Sequence, residues 1–407
     1  MHTDETASSP KGNYFHRYLN FAIFFLENYK GEVPFHLYLK KYFALHKKHG
    51  SKDRKQISSL CYNFFRLGFG VSSTITITEK LLLATFLLES KPSELLQYFK
   101  PDWNEKVQLE LQSKLEVVKT VFSLEKIFPY FDDISKQINF EDFCFTFLIQ
   151  PKLFIRIRPG KERSVFQKLE NANISFEKIS QNCLGFSNTT KITEVLKTDK
   201  EAVIQDYNSQ KTLNLFTSHI PNPTSNISIW DCCAASGGKS ILVHDLLKNI
   251  ELTVSDTRKS ILENLRFRFA KAGIKKYNSF VADLSVSKPI KQIEEKFDLI
   301  IADVPCSGSG TWARTPEQLL YFTKSEILKY AELQQKIVLN AVRYLKAGGY
   351  FLYITCSVFK KENEENVNFI QQNLNLQLIK SEYLNGYEMQ ADTLFTALFK
   401  NRSKAIL

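Results

Sequence analysis

In the first third of the chain, apolar residues recur every three or four positions. The runs "YFHRYLNFAIFFLENY", "PFHLYLKKYFALHKKH", "KDRKQISSLCYNFFRLGFG" and "ITEKLLLATFLLES" each carry one apolar stripe, the spacing of an amphipathic helix. Gly31, Gly50 and Pro92 break the pattern between or after them. Residues 1–142 are therefore expected to form an all-helical domain. At "LFIRIR" apolar and basic residues alternate with the two-residue period of a half-buried strand, and a polar helix follows. Residues 143–212 read as a small α+β module. From 213 to 407 the apolar runs "NISIW", "ELTVSD", "NSFVAD", "FDLIIADV" and "GYFLYITCS" alternate with helical stretches such as "SILENLRFRFAKAG" and "SEILKYAELQQKIVLNAVRYLKAGG". The last helix is expected to end at Gly348 and Gly349, in the manner of C-terminal glycines. Near-continuous apolar strands alternating with helices predict an α/β fold with a doubly wound, mostly parallel sheet. Such sheets gather their ligands at the carboxyl ends of the strands.

Composition adds cores and a partner class. The 407 residues are 43% apolar, with 33 Phe and 17 Tyr, which excludes a disordered or fibrous chain. No apolar run approaches the roughly 20 residues of a membrane span. The start "MHTDETASSPKGNYFHRYLN" lacks the basic and apolar regions of a signal peptide. A cytoplasmic protein, monomeric and without a membrane partner, is the expectation. The seven cysteines form no C-x-x-C pair and no zinc-finger spacing, so neither a disulfide framework nor a metal is expected. The net charge of +11 is locally concentrated. Lys40 to Arg66 holds eight basic residues against Asp53, Lys152 to Lys168 six against Glu162, and Arg258 to Lys276 seven against Glu263. Any one cluster could be a solvated face; three in one basic chain favour a polyanion, nucleic acid above all.

The stretch "WDCCAASGGKS" joins a strand to a helix. Gly238-Lys239-Ser240 fits the end of a phosphate-binding loop, but the leading glycine would fall at Cys233. The dinucleotide fingerprint fails too, because only Gly237 and Gly238 are present. What remains is a tight turn of small residues, Cys233, Ala234, Ala235, Ser236, Gly237 and Gly238, suited to close approach by a ligand. The next strand ends in Asp256, 19 residues beyond Gly237, where an acid can bind a ribose diol or simply cap the following helix; Arg258 follows it. "NSFVAD" ends in Asp283, on the side where an adenine would lie. A glycine turn, a ribose acid and an adenine-side acid on successive strands suggest an adenosine ligand without a phosphate cradle. S-adenosylmethionine fits that description.

Two further strands end in cysteines. "DLIIADVPCSGSGTWARTPE" places Asp303 and Cys306 at one tip, and "FLYITCS" places Cys356 at the next. Either thiol alone would be a core residue; a pair at neighbouring tips beside an acid points to chemistry. A Cys–His hydrolase is disfavoured, since His219 and His244 lie in no comparable motif. "DCCAASGGKS", "ADVPCSGSGTWARTPE", "YITCSVFKKENEENV" and "ADTLFTALFK" together resemble the RsmB/Sun (NSUN) family of RNA cytosine-C5 methyltransferases. The likeness covers about the last 195 residues. It extends to "LFIRIRPG" and "AVIQDYNSQ", similar to that family's small RNA-binding subdomain. More loosely, "SKDRKQISSLCYNFFRLGFG" is similar to a NusB-like helical domain. One departure is Ser236, where the family carries proline.

The resemblance implies a Rossmann-like methyltransferase domain over 213–407 with S-adenosylmethionine as cofactor. It implies Cys356 as nucleophile, Cys306 in product release, Asp303 at N3 or the amino group of the base, and Lys239 in the same site. The residues alone leave the order of the two thiols open, because DNA cytosine methyltransferases use the Pro-Cys thiol. RNA would be gripped by Lys47, Lys48, Arg54, Arg156, Arg158 and Arg314, and small-subunit rRNA is the expected substrate. A cofactor-binding RNA assembly factor without turnover, a tRNA or other RNA substrate, and an ATP-using enzyme are the competing readings.

Overall fold

The computed structural model describes residues 10–219, 226–247 and 249–402. The first nine residues, read above as part of the helical domain, lie outside that range. The described chain divides into two compact units. Among the described residues, one comprises 10–131, 139–150 and 312–322; the other comprises those of 132–138, 151–311 and 323–402.

The first unit is helical, as the periodicity predicts. Its main helices are Pro10–Asn28, Phe35–Leu45, Ser51–Arg66 and Ile77–Leu88. Thr76 and Glu79 form a reciprocal cap at the start of the last of these: Glu79 N donates to Thr76 Oγ1, and Thr76 N donates to Glu79 Oε2. The core is unusually aromatic, with Phe25, Tyr29, Phe35 and Phe65 buried among leucines. The predicted boundary at 142 moves to 150, because the Phe140–Phe147 helix buries Phe143 and Phe147 against Phe128 of this unit. Residues 312–322 also belong here. Trp312 packs on Phe128, Arg66 donates to the carbonyl of Ala313 at 2.7 Å, and Glu317 Oε1 accepts from Phe35 N at the start of a helix. These contacts join residues far apart in sequence, so no local pattern could announce them.

The second unit contains two sheets. Strands β1 (Leu153–Ile157), β2 (Glu177–Lys178), β3 (Cys183–Phe186) and β4 (Ala202–Ile204) form an antiparallel sheet in the order β2-β3-β1-β4. The larger sheet contains β5 (Ile227–Asp231), β6 (Ile250–Asp256), β7 (Asn278–Val281), β8 (Phe297–Asp303), β9 (Leu345–Thr355), β10 (Leu376–Leu384) and β11 (Leu394–Asn401). Its order is β10-β11-β9-β8-β5-β6-β7. β5 to β9 pair in parallel, and β10 and β11 add an antiparallel hairpin at the β9 edge. Both faces are covered. Leu299 and Ile301 of β8 face one apolar cluster, while Ile300 and Ala302 face the other; this is why these strands read as continuous apolar runs.

Gly348 and Gly349 do not end a helix. The helix stops at Ala341, and β9 begins at Leu345. Leu345 pairs with Phe297 and Tyr350 with Leu299, so the glycines lie in a bulge of β9. Gly348 takes φ +74° there, the left-handed conformation that bulges assign to glycine.

Candidate active site at the carboxyl edge of the sheet

From β5 the chain runs outward through β6 and β7, then returns to place β8 on the other side of β5. The crevice at this reversal is where a doubly wound sheet binds its ligand. A cavity of about 500 Å³ lies there. It is lined from the β5 turn by Cys233 and Ala235, from β6 by Asp256 and Arg258, and after β7 by Asp283. Asp303, Cys306 and Cys356 complete the lining from the β8 and β9 tips. The sequence-chosen acids and thiols are thus brought together.

The turn after β5 is built for close approach. Gly237 has φ +83°, and a Cβ there would sit 2.7 Å from the Phe269 ring. Glycine is required on both counts. Ala234 is buried behind the turn, and Gly238 opens the Gly238–Leu246 helix. Ser236 turns away from the cavity: its Oγ and carbonyl accept from Arg268 Nη1 at 2.9 and 3.0 Å, and Arg268 is itself paired with Asp199 at 2.8 Å. A fixed guanidinium therefore braces the turn where a proline ring would have stiffened it.

Asp256 serves two roles. Its Oδ2 accepts from Ala235 N and its Oδ1 from Arg258 N, both at 3.0 Å. It caps the next helix and also lines the cavity. Asp283 accepts from the backbone and hydroxyl of Ser285.

At the β5–β8 junction, Lys239 Nζ meets Asp303 Oδ2 at 2.6 Å. Burial disfavours the Lys239 charge, but attraction to Asp303, with smaller help from Cys356 and Asp231, prevails and raises its pKa. Behind this pair, Asp231 is buried at the end of β5. Its Oδ2 accepts from Ser240 at 2.6 Å, while Oδ1 has no partner among the described residues. Burial pushes its carboxyl up to about 7.

The two thiols are neighbours because β8 and β9 pair in register, Asp303 opposite Ile354. Cys306 Sγ lies 3.2 Å from Cys356 Sγ and accepts from Cys356 N at 3.3 Å. The contact with Cys356 first, then burial, holds the Cys306 thiol well above its ordinary range. Gly310 N donates to the carbonyl of Cys356 at 2.9 Å, and a Cβ on Gly310 would lie 2.0 Å from the carbonyl of Thr393. Only glycine lets the Pro-Cys loop approach so closely.

Residues 218–398 match the family described as 16S rRNA methyltransferase RsmB/F. Over this stretch, somewhat under half of its length, the chain is similar to the RsmB/F methyltransferase family. It is 26% identical over 238 residues to the probable ribosomal RNA small subunit methyltransferase B of Bacillus subtilis, covering 57% of this chain and 52% of that one. It is 30% identical over 169 residues to human tRNA (cytosine(72)-C(5))-methyltransferase NSUN6, covering 39% of this chain and 35% of that one. The chain thus spans about half, or less, of the curated relatives it matches. In fold it is similar to PH0851, with TM-score 0.67 at 19% identity over 95% of this chain and 98% of that one. It is also similar to NSun6 from Pyrococcus horikoshii solved with SFG, with TM-score 0.53 at 15% identity over 78% of this chain and all of that one.

Beside the two thiols lies one buried carboxyl group that the sequence pattern did not single out. Glu362 is fully buried. Its Oε2 accepts from Ser307 N at 2.9 Å and Gln334 Nε2 at 2.8 Å, and its Oε1 accepts from Ser357 Oγ at 2.6 Å. One carboxyl group thereby ties the loop after Cys306 to the residue after Cys356. Burial raises its pKa. The only available signal was "KKENEENV", whose several acids look alike in sequence.

The expected RNA contacts fare differently. Arg156 and Arg158 both pair with the buried Asp245 side chain, at 2.6 and 2.7 Å, and Arg158 also donates to the carbonyls of Asp199 and Ala272. These bonds tie β1 and the turn after it to the Gly238–Leu246 helix. Lys47 and Lys48 are exposed on the helical unit, Lys48 over the Phe21 ring, while Arg54 donates to the carbonyl of His49. Arg314 is half-buried in the helical unit. None of the described helices is long and apolar enough to cross a membrane.

Proposed function

We propose that this chain transfers a methyl group from S-adenosylmethionine to carbon 5 of a cytosine in RNA, in the cytoplasm. The observation that carries this reading is the pair of thiols 3.2 Å apart that line the cavity together with Asp303, the partner of Lys239. Asp256 would hold the ribose hydroxyls, with Asp283 on the adenine side. The backbone of Cys233 to Gly238 would lie along the rest of the cofactor, which supplies an electrophilic methyl group.

The chain's own residues then divide the work. The Cys356 thiolate adds to carbon 6 of the cytosine, and the electron pair of the 5,6 double bond becomes available at carbon 5 to take the methyl group. This covalent route replaces one hard step by easier ones. Asp303, ion-paired to Lys239, is an acceptor suited to the exocyclic amino group, and the Lys239 ammonium offsets negative charge developing on the ring. A base then removes the carbon-5 proton, the double bond re-forms, and the carbon–sulfur bond breaks to return the thiolate. Cys306, in contact with Cys356, assists this release. The ring must be unstacked to reach the thiols.

Small-subunit rRNA is the substrate we favour, in keeping with the family description and the Bacillus subtilis relative. The likeness to a tRNA-named relative makes tRNA the second reading. The test is a denaturing gel of Cys306→Ser and Cys356→Ser proteins given S-adenosylmethionine and total bacterial RNA. An RNase-sensitive, slow-migrating band with Cys306→Ser alone is expected, and sequencing the trapped RNA names the substrate. A band with Cys356→Ser alone would exchange the two thiols. No band with either, in proteins that bind S-adenosylmethionine, would favour an assembly factor without turnover.

A further inference from the structure

Apart from Arg258, which lines the cavity, and Arg268, which braces the turn, the basic cluster from Arg258 to Lys276 has no part in the site described so far. It lies on the Lys259–Ala272 helix, whose buried face is Leu262, Leu265, Phe269 and Ala272. The opposite face is polar except for Phe267, which is 70% exposed. A single exposed aromatic residue is ordinary on a protein surface. This one differs in its company. Lys259, Arg266 and Lys271 are exposed on the same helix, and Lys275 and Lys276 are exposed just beyond it, against the one acid Glu263.

The buried arginines extend the patch. Arg158 donates to the carbonyl of Ala272, the last residue of this helix, so the turn after β1 abuts the helix end. That turn and the helix it opens carry exposed Lys161 and Arg163. Arg268 strengthens the junction through Asp199. Two basic clusters far apart in sequence therefore form one surface.

We propose that this surface is a docking site for an RNA strand flanking the target cytosine. Lys161, Arg163, Lys271, Lys275 and Lys276 neutralise its phosphates, and Phe267 is a platform on which one unpaired base stacks. The identity of the polymer rests on the RNA-methyltransferase reading above. Charge favours a polyanion, and an aromatic face among cations suits single-stranded nucleic acid, which combines phosphate contacts with base stacking.

The test is fluorescence anisotropy with a short, unstructured, fluorescein-labelled RNA of mixed adenine and cytosine, measured across a range of salt. Phe267→Ala is expected to weaken binding about tenfold with an unchanged salt slope, and Phe267→Trp to restore it. Lys271→Glu with Lys275→Glu is expected to reduce the slope of log affinity against log salt by about 0.7 for each phosphate no longer neutralised. Full-strength binding by Phe267→Ala, in a chain whose Cys306→Ser form still traps RNA, overturns this proposal alone. Failure of the wild-type protein to bind the probe, together with failure of its Cys306→Ser form to trap RNA, overturns the RNA reading and this proposal with it. Equal losses by Phe267→Ala for the RNA and for a polyglutamate probe would mean an acidic protein partner and overturn the stacking role.

Discussion

The carboxyl edge of the large sheet and the central strand of the small sheet both carry charged residues on strands, with opposite results. At the β5, β6 and β8 tips, Asp256, Asp303 and the nearby Lys239 reach or border a cavity. On β1, Arg156 and the adjoining Arg158 turn into a buried pairing with Asp245. The difference is positional. A residue at a strand's carboxyl end leads into a loop with room around it. A residue within β1, flanked by β3 and β4, projects onto a covered face. A charge there persists only with a partner. Counting basic residues along the chain cannot separate the two cases.

The largest expected effect lies at the first region. Cys356→Ser should lower methyl transfer by ~10⁴-fold or more, as loss of a nucleophile does, while leaving the urea midpoint nearly unchanged. Measurable turnover above a thousandth of the wild-type rate would exchange the roles of the thiols. At the second region the effect should fall on stability. Asp245→Ala leaves two buried guanidinium groups without their carboxylate and should cost about 3–5 kcal/mol in urea unfolding. If it instead weakened RNA binding at unchanged stability, the arginines would be RNA contacts after all.

Asp231 gives a pH signature within the first region. Burial raises its folded pKa to about 7, far above the carboxylate range of an unfolded chain. Between those two values the folded chain keeps a proton that the unfolded chain has released. Through this group, stability therefore falls as pH rises towards 7, by ~1.4 kcal/mol per pH unit. Asp231→Asn should remove that contribution; a wild-type-like stability profile in the variant would refute the assignment. The smallest effect concerns the turn. Ser236→Ala removes one charge-assisted bond from Arg268 but leaves the backbone carbonyl, so a loss of about 1 kcal/mol is expected. S-adenosylmethionine affinity measured by calorimetry should fall severalfold at most.

Much of the site was legible in advance. Apolar strands ending in Asp256, Asp303, Cys306 and Cys356 locate reactive groups at one edge of a parallel sheet, whatever the details of packing. The brace on Ser236 was not legible, because Arg268 lies 32 residues away and reaches the turn through a helix. Glu362 was hidden among the acids around it, and only its burial between Ser307 and Ser357 distinguishes it. The bulge at Gly348 was misread as a helix end because glycine suits both, and the pairing of Leu345 with Phe297 decides between them.

The sequence by itself determined the helical and α/β character of the two parts, the parallel order of the strands and the thiols at neighbouring tips. Each follows from local periodicity or from the geometry every parallel sheet shares. The tertiary structure decided that residues 312–322 join the helical unit, that Glu362 spans two loops, and that Asp245 claims the arginines of β1. Those outcomes depend on which distant groups meet in a low-dielectric interior, where a charge must find a partner and a short stretch of sequence does not say which one it finds.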